Sequence, residues 1–185
     1  YIEIPVFALT YSEFLLFHQL KNTQDSLNMY LKYGGLPYLV HLELTDEIVF
    51  DYLKNISQSI LFRDVISRFE VRNVDFLSRL IKYLANEVGN IISARGIGKF
   101  LKSQNVSIST TAILNYLNYL ITAMLVEGVN RSDIEGKKVF EVGDKYYFND
   151  IGIRNSIAGF SPFDLGQIIE NVVYSHLKSV GYSIL

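Results

Sequence analysis

The most regular hydrophobic pattern lies in the middle of the chain. Val74, Leu77, Leu80, Ile81 and Leu84 recur at three- and four-residue spacing, the stripe of an amphipathic helix, with Asn73 placed to cap it and Gly89-Asn90 to end it. Ser93 then caps a short second helix to about Lys102. Gly96 and Gly98 each cost that helix about 1 kcal/mol relative to alanine, so tertiary packing must hold it. After a turn over 103–108, Ser109 caps the strongest helix. There Ile113, Leu117, Leu120, Ile121 and Met124 are expected to face the core, and Thr111, Asn115, Asn118, Tyr119 and Thr122 to face away. The period then changes to two. Val126–Asn130 and Val139–Phe148 alternate on either side of a charged tip from Arg131 to Lys137, which predicts a hairpin. Helix, turn, helix and β-ribbon over Ile91–Phe148 is the order of a winged helix-turn-helix.

The flanks read as scaffolding, so the expected class is mostly α (α+β), a helical bundle plus a winged helix with a small β-hairpin wing. Tyr1–Phe7 alternates and predicts a strand, which Pro5 would end because proline cannot donate a ladder hydrogen bond. Thr10 and Glu13 form a capping-box pattern opening a helix to about Leu20, whose Phe14, Leu15, Leu16 and Phe17 imply burial on more than one side. A short helix from Asp25 stops at Gly34-Gly35, with Pro37 barring its continuation. Val49, Tyr52, Leu53, Ile56 and Ile60 mark another helix over 46–62, continuing to about Phe69. Asp150 caps a short helix to Ala158, 159–164 reads as a linker, and Leu165–Val180 is a last amphipathic helix before Gly181. The start at Tyr1 and the end at Leu185, inside strand-like runs, are expected of a fragment.

Composition narrows the classes. With 49% hydrophobic residues in 185, the chain can bury a core. Its mean hydropathy is +0.19, yet no window reaches the ~20 uninterrupted apolar residues of a membrane span, and no secretory signal pattern is present. Zero cysteines exclude disulfides and thiolate metal sites and fit a reducing cytoplasm, the expected location. A formal charge of −2 with pI about 5.9 leaves no global footprint for nucleic acid.

A DNA contact would therefore rest on a local patch. Asn115, Asn118 and Tyr119 could read base edges, and Lys99, Lys102, Arg131, Lys137 and Lys138 could hold phosphates, offset by Asp133, Glu135 and Glu141. The helix from Ser109 to Met124 carries no Lys or Arg, which favours docking or packing over base reading. His18, His41 and His176 stand too far apart for a metal pattern. Arg63-Asp64 and Arg68-Glu70 read as solvated ion pairs, and no phosphate-loop pattern occurs. No catalytic constellation emerges.

Several phrases taken together resemble a known family: YIEIPVFALTYSEFL at the start, GGLP at 34–37, ILFRDV at 60–65, STTAILNYLNYL from Ser109, KYYFNDIGIRNSIAG at 145–159 and GQIIENVVYSHLKSVGY at 166–182. The set is similar to prokaryotic AAA-family (P-loop) ATPases whose C-terminal region is a domain of unknown function. The resemblance implies the end of an ATPase core over 1–22, a helical lid-like region over 23–70, a winged-helix domain over 71–160 and the start of a restriction-endonuclease-like domain over 161–185. It implies ATP and Mg²⁺ for the parent, with Arg63 approaching the nucleotide, and no cofactor in this fragment. Walker motifs and the acidic strand-hairpin of the nuclease-like fold are absent from the sequence, so the chain by itself is expected neither to hydrolyse ATP nor to cut DNA. The expected role is to couple nucleotide state to a partner or to duplex DNA. A winged-helix transcriptional regulator and a protein-docking module, prone to self-association, are the alternatives.

Overall fold

The computed structural model describes residues 2, 5–103, 106, 108–129 and 143–184. The chain forms two compact units, one from residues 1–55 with 149–184 and the other from 56–148. Among the described residues eight α-helices and a three-stranded antiparallel sheet are present, and no helix is long and apolar enough to cross a membrane.

The first unit begins with α1 (Tyr11–Phe17). The expected capping box is in place, since Thr10 Oγ1 accepts from the Glu13 amide and the Glu13 carboxylate accepts from the Thr10 amide at 2.8 Å. Only Phe14 of this helix is buried; Leu16 and Phe17 are exposed, so burial on several sides does not occur. Residues 5–7, part of the expected first strand, lie outside the sheet. Pro5 lacks the amide that a ladder needs. In α2 (Gln24–Tyr33) the chain stops at Gly34, whose φ of 80° falls where a side chain is disfavoured. Pro37 opens a 3₁₀ turn (Pro37–His41). α3 (Asp46–Ile60) follows; α7 (Ile151–Ala158) and α8 (Leu165–Ser179) complete the unit. α2 packs on α7 and α8 through Leu31, Ile151 and Ile168, with Leu27, Phe160 and Val172 around them.

The second unit takes the end of α3, a π-helical turn (Leu61–Ser67) and α4 (Val74–Asn86), capped by Asn73. The predicted stripe of α4 is buried at Leu77, Leu80, Ile81 and Leu84, but Val74, in the first turn, is exposed. Next come β1 (Ile91–Ile92), α5 (Ala94–Ser103), α6 (Thr110–Thr122), β2 (Val126–Val129) and β3 (Asp144–Phe148). The sheet order is β1-β3-β2, with Ile91 opposite Lys145 and Val126 opposite Phe148. Its core joins α4 to Ile97, Leu101, Ile113, Leu117, Leu120, Val126 and Phe148. Two residues assigned to that core from periodicity are not in it: Ile121 is 38% exposed and Met124 54%. The helix ends at Thr122, and Met124 takes φ 55° in the turn into β2, so helical spacing no longer applies there.

Candidate recognition surface

α5 and α6 present the surface with the most binding chemistry, and local capping starts both. Ser93 Oγ accepts from the Gly96 amide at 3.0 Å, and Ser109 Oγ accepts from the Ala112 amide at 3.2 Å. Ile97 and Leu101 bury one side of α5 against Ile113, Leu117 and Leu120 of α6. A Cβ on Gly98 would stand 3.5 Å from Ile113 Cδ1, an ordinary contact, so this glycine is not required by crowding.

Burying that side fixes what faces outward. Arg95, Lys99 and Lys102 follow at i, i+4 and i+7 along α5, and all three are exposed. Between Glu87 and Glu127 the sequence has no Asp or Glu at all. Among the described residues, none of the three cations is in an ion pair. α6 exposes Thr110, Thr111, Asn115 and Asn118 together with Leu114 (53% exposed) and Ile121.

Of the residues singled out from sequence for DNA, Lys99 and Lys102 share the outward side of α5, and Asn115 and Asn118 share the outward side of α6. Arg131, Lys137 and Lys138 lie outside the described residues. Tyr119 is half-buried and stacks flat on Phe69, with ring centroids 4.2 Å apart at 9°. Tyr116 meets Phe76 edge-on at 4.8 Å, and its hydroxyl accepts from the Asn73 amide at 3.3 Å. Both rings are half-buried and engaged within the unit. Arg63 stands exposed in the π-helical turn, 3.4 Å from Asp64; so solvated a pair contributes little. Arg95 completes the α5 row and escaped the sequence reading. The signal was available in the i, i+4, i+7 spacing of Arg95, Lys99 and Lys102.

A second polar cluster, in the first unit, was also unforeseen beyond the cap at Asp150. Asp150 is buried; its Oδ1 accepts from the Ile153 amide at 3.0 Å and its Oδ2 from the Gly35 amide at 2.7 Å. Burial pushes its carboxyl up to about 6, with the Gly35, Ile153 and Gly152 amides pulling the other way. Asn155 donates to the Leu31 and Lys32 carbonyls, both at 2.9 Å, satisfying acceptors that the last turn of α2 leaves without helical partners. Arg154 is fully buried and donates to Asp164 at 3.0 Å, to Asn155 Oδ1 at 3.2 Å and to the Gly159 carbonyl at 3.4 Å. Every one of these bonds ends on the protein itself, so the cluster fastens α7 to the end of α2. Both oxygens of its Asp150 carboxylate are occupied by backbone amides.

Among the described residues no group of three or more His, Cys, Asp or Glu side chains could hold a metal ion. Residues 24–164 match the family described as Domain of unknown function (DUF8612), and the chain belongs to it. The chain is 31% identical over 192 residues to an uncharacterized protein of Haemophilus influenzae, covering 100% of this chain and 46% of that protein. It is 33% identical over 156 residues to an uncharacterized protein of Methanocaldococcus jannaschii, covering 84% of this chain and 34% of that protein. The chain thus spans less than half the length of either relative. No solved structure matches it.

Proposed function

We propose that residues 56–148 of this DUF8612-family chain act as a winged-helix docking unit, not catalytic by itself, that couples a larger nucleotide-dependent protein to a partner. The observation that carries the reading is the outward side of α6. The element order is β1-α5-α6-β2-β3, and in a winged helix of that order the second helix is the one that meets a partner; here it exposes Leu114, Ile121, Asn115 and Asn118 with no charge. A neutral face with exposed aliphatic residues suits protein contact, where charged residues are depleted at the centre of an interface. It suits base reading poorly, because that leans on arginine and lysine.

The nucleotide-dependent parent is supported by the family resemblance of the phrases at 34–37, 60–65 and 145–159. Hydrogen exchange on the whole Haemophilus influenzae relative, with ATP and Mg²⁺ and without, tests the coupling. Exchange at the amides matching α5 and α6 should change when nucleotide binds. ATP binding with unchanged exchange in those helices would overturn the coupling, and no ATP binding would overturn the parent. Alanine at the position matching Arg63 should slow ATP hydrolysis, and an unchanged rate would remove Arg63 as a nucleotide contact.

A further inference from the structure

The net charge of −2 conceals a strong separation. Residues 56–148 hold 12 Lys and Arg against 9 Asp and Glu, a net +3, while the remaining residues hold 5 against 10, a net −5. The second unit is thus basic inside an acidic chain. Its described surface is least compensated on α5, where Arg95, Lys99 and Lys102 stand in one row, exposed and without an ion pair among the described residues. Chance surface cations are usually interspersed with acids, which limits their field. Here the nearest acids in sequence are Glu87 and Glu127, so neither α5 nor α6 contributes one.

We propose that the outward face of α5, through Arg95, Lys99 and Lys102, binds the phosphate backbone of duplex DNA without regard to sequence. Seven residues of helix place Arg95 and Lys102 about 10 Å apart along the axis, and a duplex presents a phosphate charge for every ~1.7 Å of its own axis, so several phosphates lie within the span of the row. Thr110, Thr111, Asn115 and Asn118, exposed on the neighbouring α6, supply neutral donors of the kind that supplement cations on phosphates. Sequence independence follows from the same chemistry. The row touches only what every duplex shares, and α6 adds no cation that could pair with a guanine edge. This contact goes beyond the docking role of α6 and stands apart from it, since it needs only the α5 row and not the nucleotide coupling.

The test uses the 185-residue chain and fluorescence anisotropy on two duplexes of unrelated sequence over a salt series. Three phosphate contacts give a slope of log K against log salt of about −2.7, an affinity loss of roughly 40-fold between 50 and 200 mM. Lys99→Gln should lower the magnitude of that slope by about 0.9, and the triple change Arg95→Gln, Lys99→Gln, Lys102→Gln should remove it to the extent of all three contacts. Circular dichroism and thermal melting confirm that the variants remain folded, as expected for exposed positions. An unchanged slope in a folded triple variant would overturn the proposal, as would absence of binding at the lowest salt. Competition by poly-glutamate as strong as that of duplex at equal charge would reassign the face to acidic proteins and overturn it too. None of these outcomes bears on nucleotide-dependent exchange in α6, so the two readings fail separately.

Discussion

Replacing Asp150 by Asn should make the stability of the first unit depend less on pH, and the geometry around that carboxyl sets the size of the effect. Both oxygens are taken by backbone amides, from Gly35 at 2.7 Å and Ile153 at 3.0 Å, so the site is built for an acceptor. Those amides favour the carboxylate, but burial outweighs them and raises the group from 3.8 to about 6. The native state therefore holds this proton more tightly than the unfolded chain does. The stabilisation this affords is fully present below about pH 4 and is lost as pH rises through 6. The difference between 3.8 and about 6 corresponds to roughly 3 kcal/mol. Asparagine keeps one oxygen acceptor and carries no charge at any pH, so it imitates the protonated side chain throughout. Relative to the wild type, Asp150→Asn should become more favourable by up to roughly 3 kcal/mol from about pH 4 to about pH 7.

Because the chain has two compact units, a single global transition is the wrong assay. Native-state hydrogen exchange at the α7 amides reads the local opening free energy instead. Glu13 and Asp46, both held below the usual carboxylate range by hydrogen bonds, act in the opposite sense, but they do so in both proteins and drop out of the comparison. Asp150→Ala supplies the control, since it loses the cap and leaves the buried Gly35 amide unpaired; it should lie about 2–4 kcal/mol below Asp150→Asn at every pH, because neither side chain titrates. A difference between wild type and Asp150→Asn that stays flat with pH would refute the reasoning about burial.

Three further outcomes follow from packing. Asp164→Asn takes the charged partner from the fully buried Arg154 while the carboxyl side remains partly open to water, so the first unit should lose about 1–3 kcal/mol, read by exchange in α7 and α8. Gly34→Ala forces φ 80° on a side chain and sets its Cβ 2.6 Å from Asp150 Oδ2 and the Gly152 amide, so it should destabilise the first unit by more than about 1 kcal/mol, read by exchange in α2 and α7. Leu117→Ala, at a fully packed site on α6, should cost the second unit about 2–5 kcal/mol, whereas Met124→Ala, 54% exposed, should cost it under about 1 kcal/mol, both read by exchange in α4 and α6.

Local chemistry was legible in the sequence because it acts over three or four residues. Thr10 with Glu13, Asn73, Ser109 and Asp150 were all read as helix starts, and each accepts the amide expected of it. Gly34 was read as a stop and has the positive φ that makes it one. What stayed hidden depends on residues far apart along the chain. Asn155 bonds the carbonyls of Leu31 and Lys32, more than a hundred residues earlier, and no periodicity announces such a bond. The same holds for Arg154, which sequence habit places on the surface and the fold buries completely. Tyr119 shows the limit of face assignment. It lies on the outward side by helical spacing, yet Phe69, from the segment before α4, reaches over to stack on it.

That stacking decides which helix of the second unit is free to engage a charged partner. With Tyr119 flat on Phe69 and Tyr116 held by Phe76 and the Asn73 amide, the exposed side chains of α6 are short amides, hydroxyls and aliphatic groups. Such groups contribute through complementary shape and hydrogen bonding at close range, and they exert no attraction at a distance. α5 has the opposite character: its buried side is spent on Ile97 and Leu101, and its outward side holds three long cations whose flexible stems reach beyond the helix. A polyanion would therefore be drawn first to α5, at a rate that falls with salt, while any selectivity would have to come from the neutral surface of α6. Exchanging Lys99 should accordingly slow association, and exchanging Leu114 should speed dissociation of a protein docked on α6.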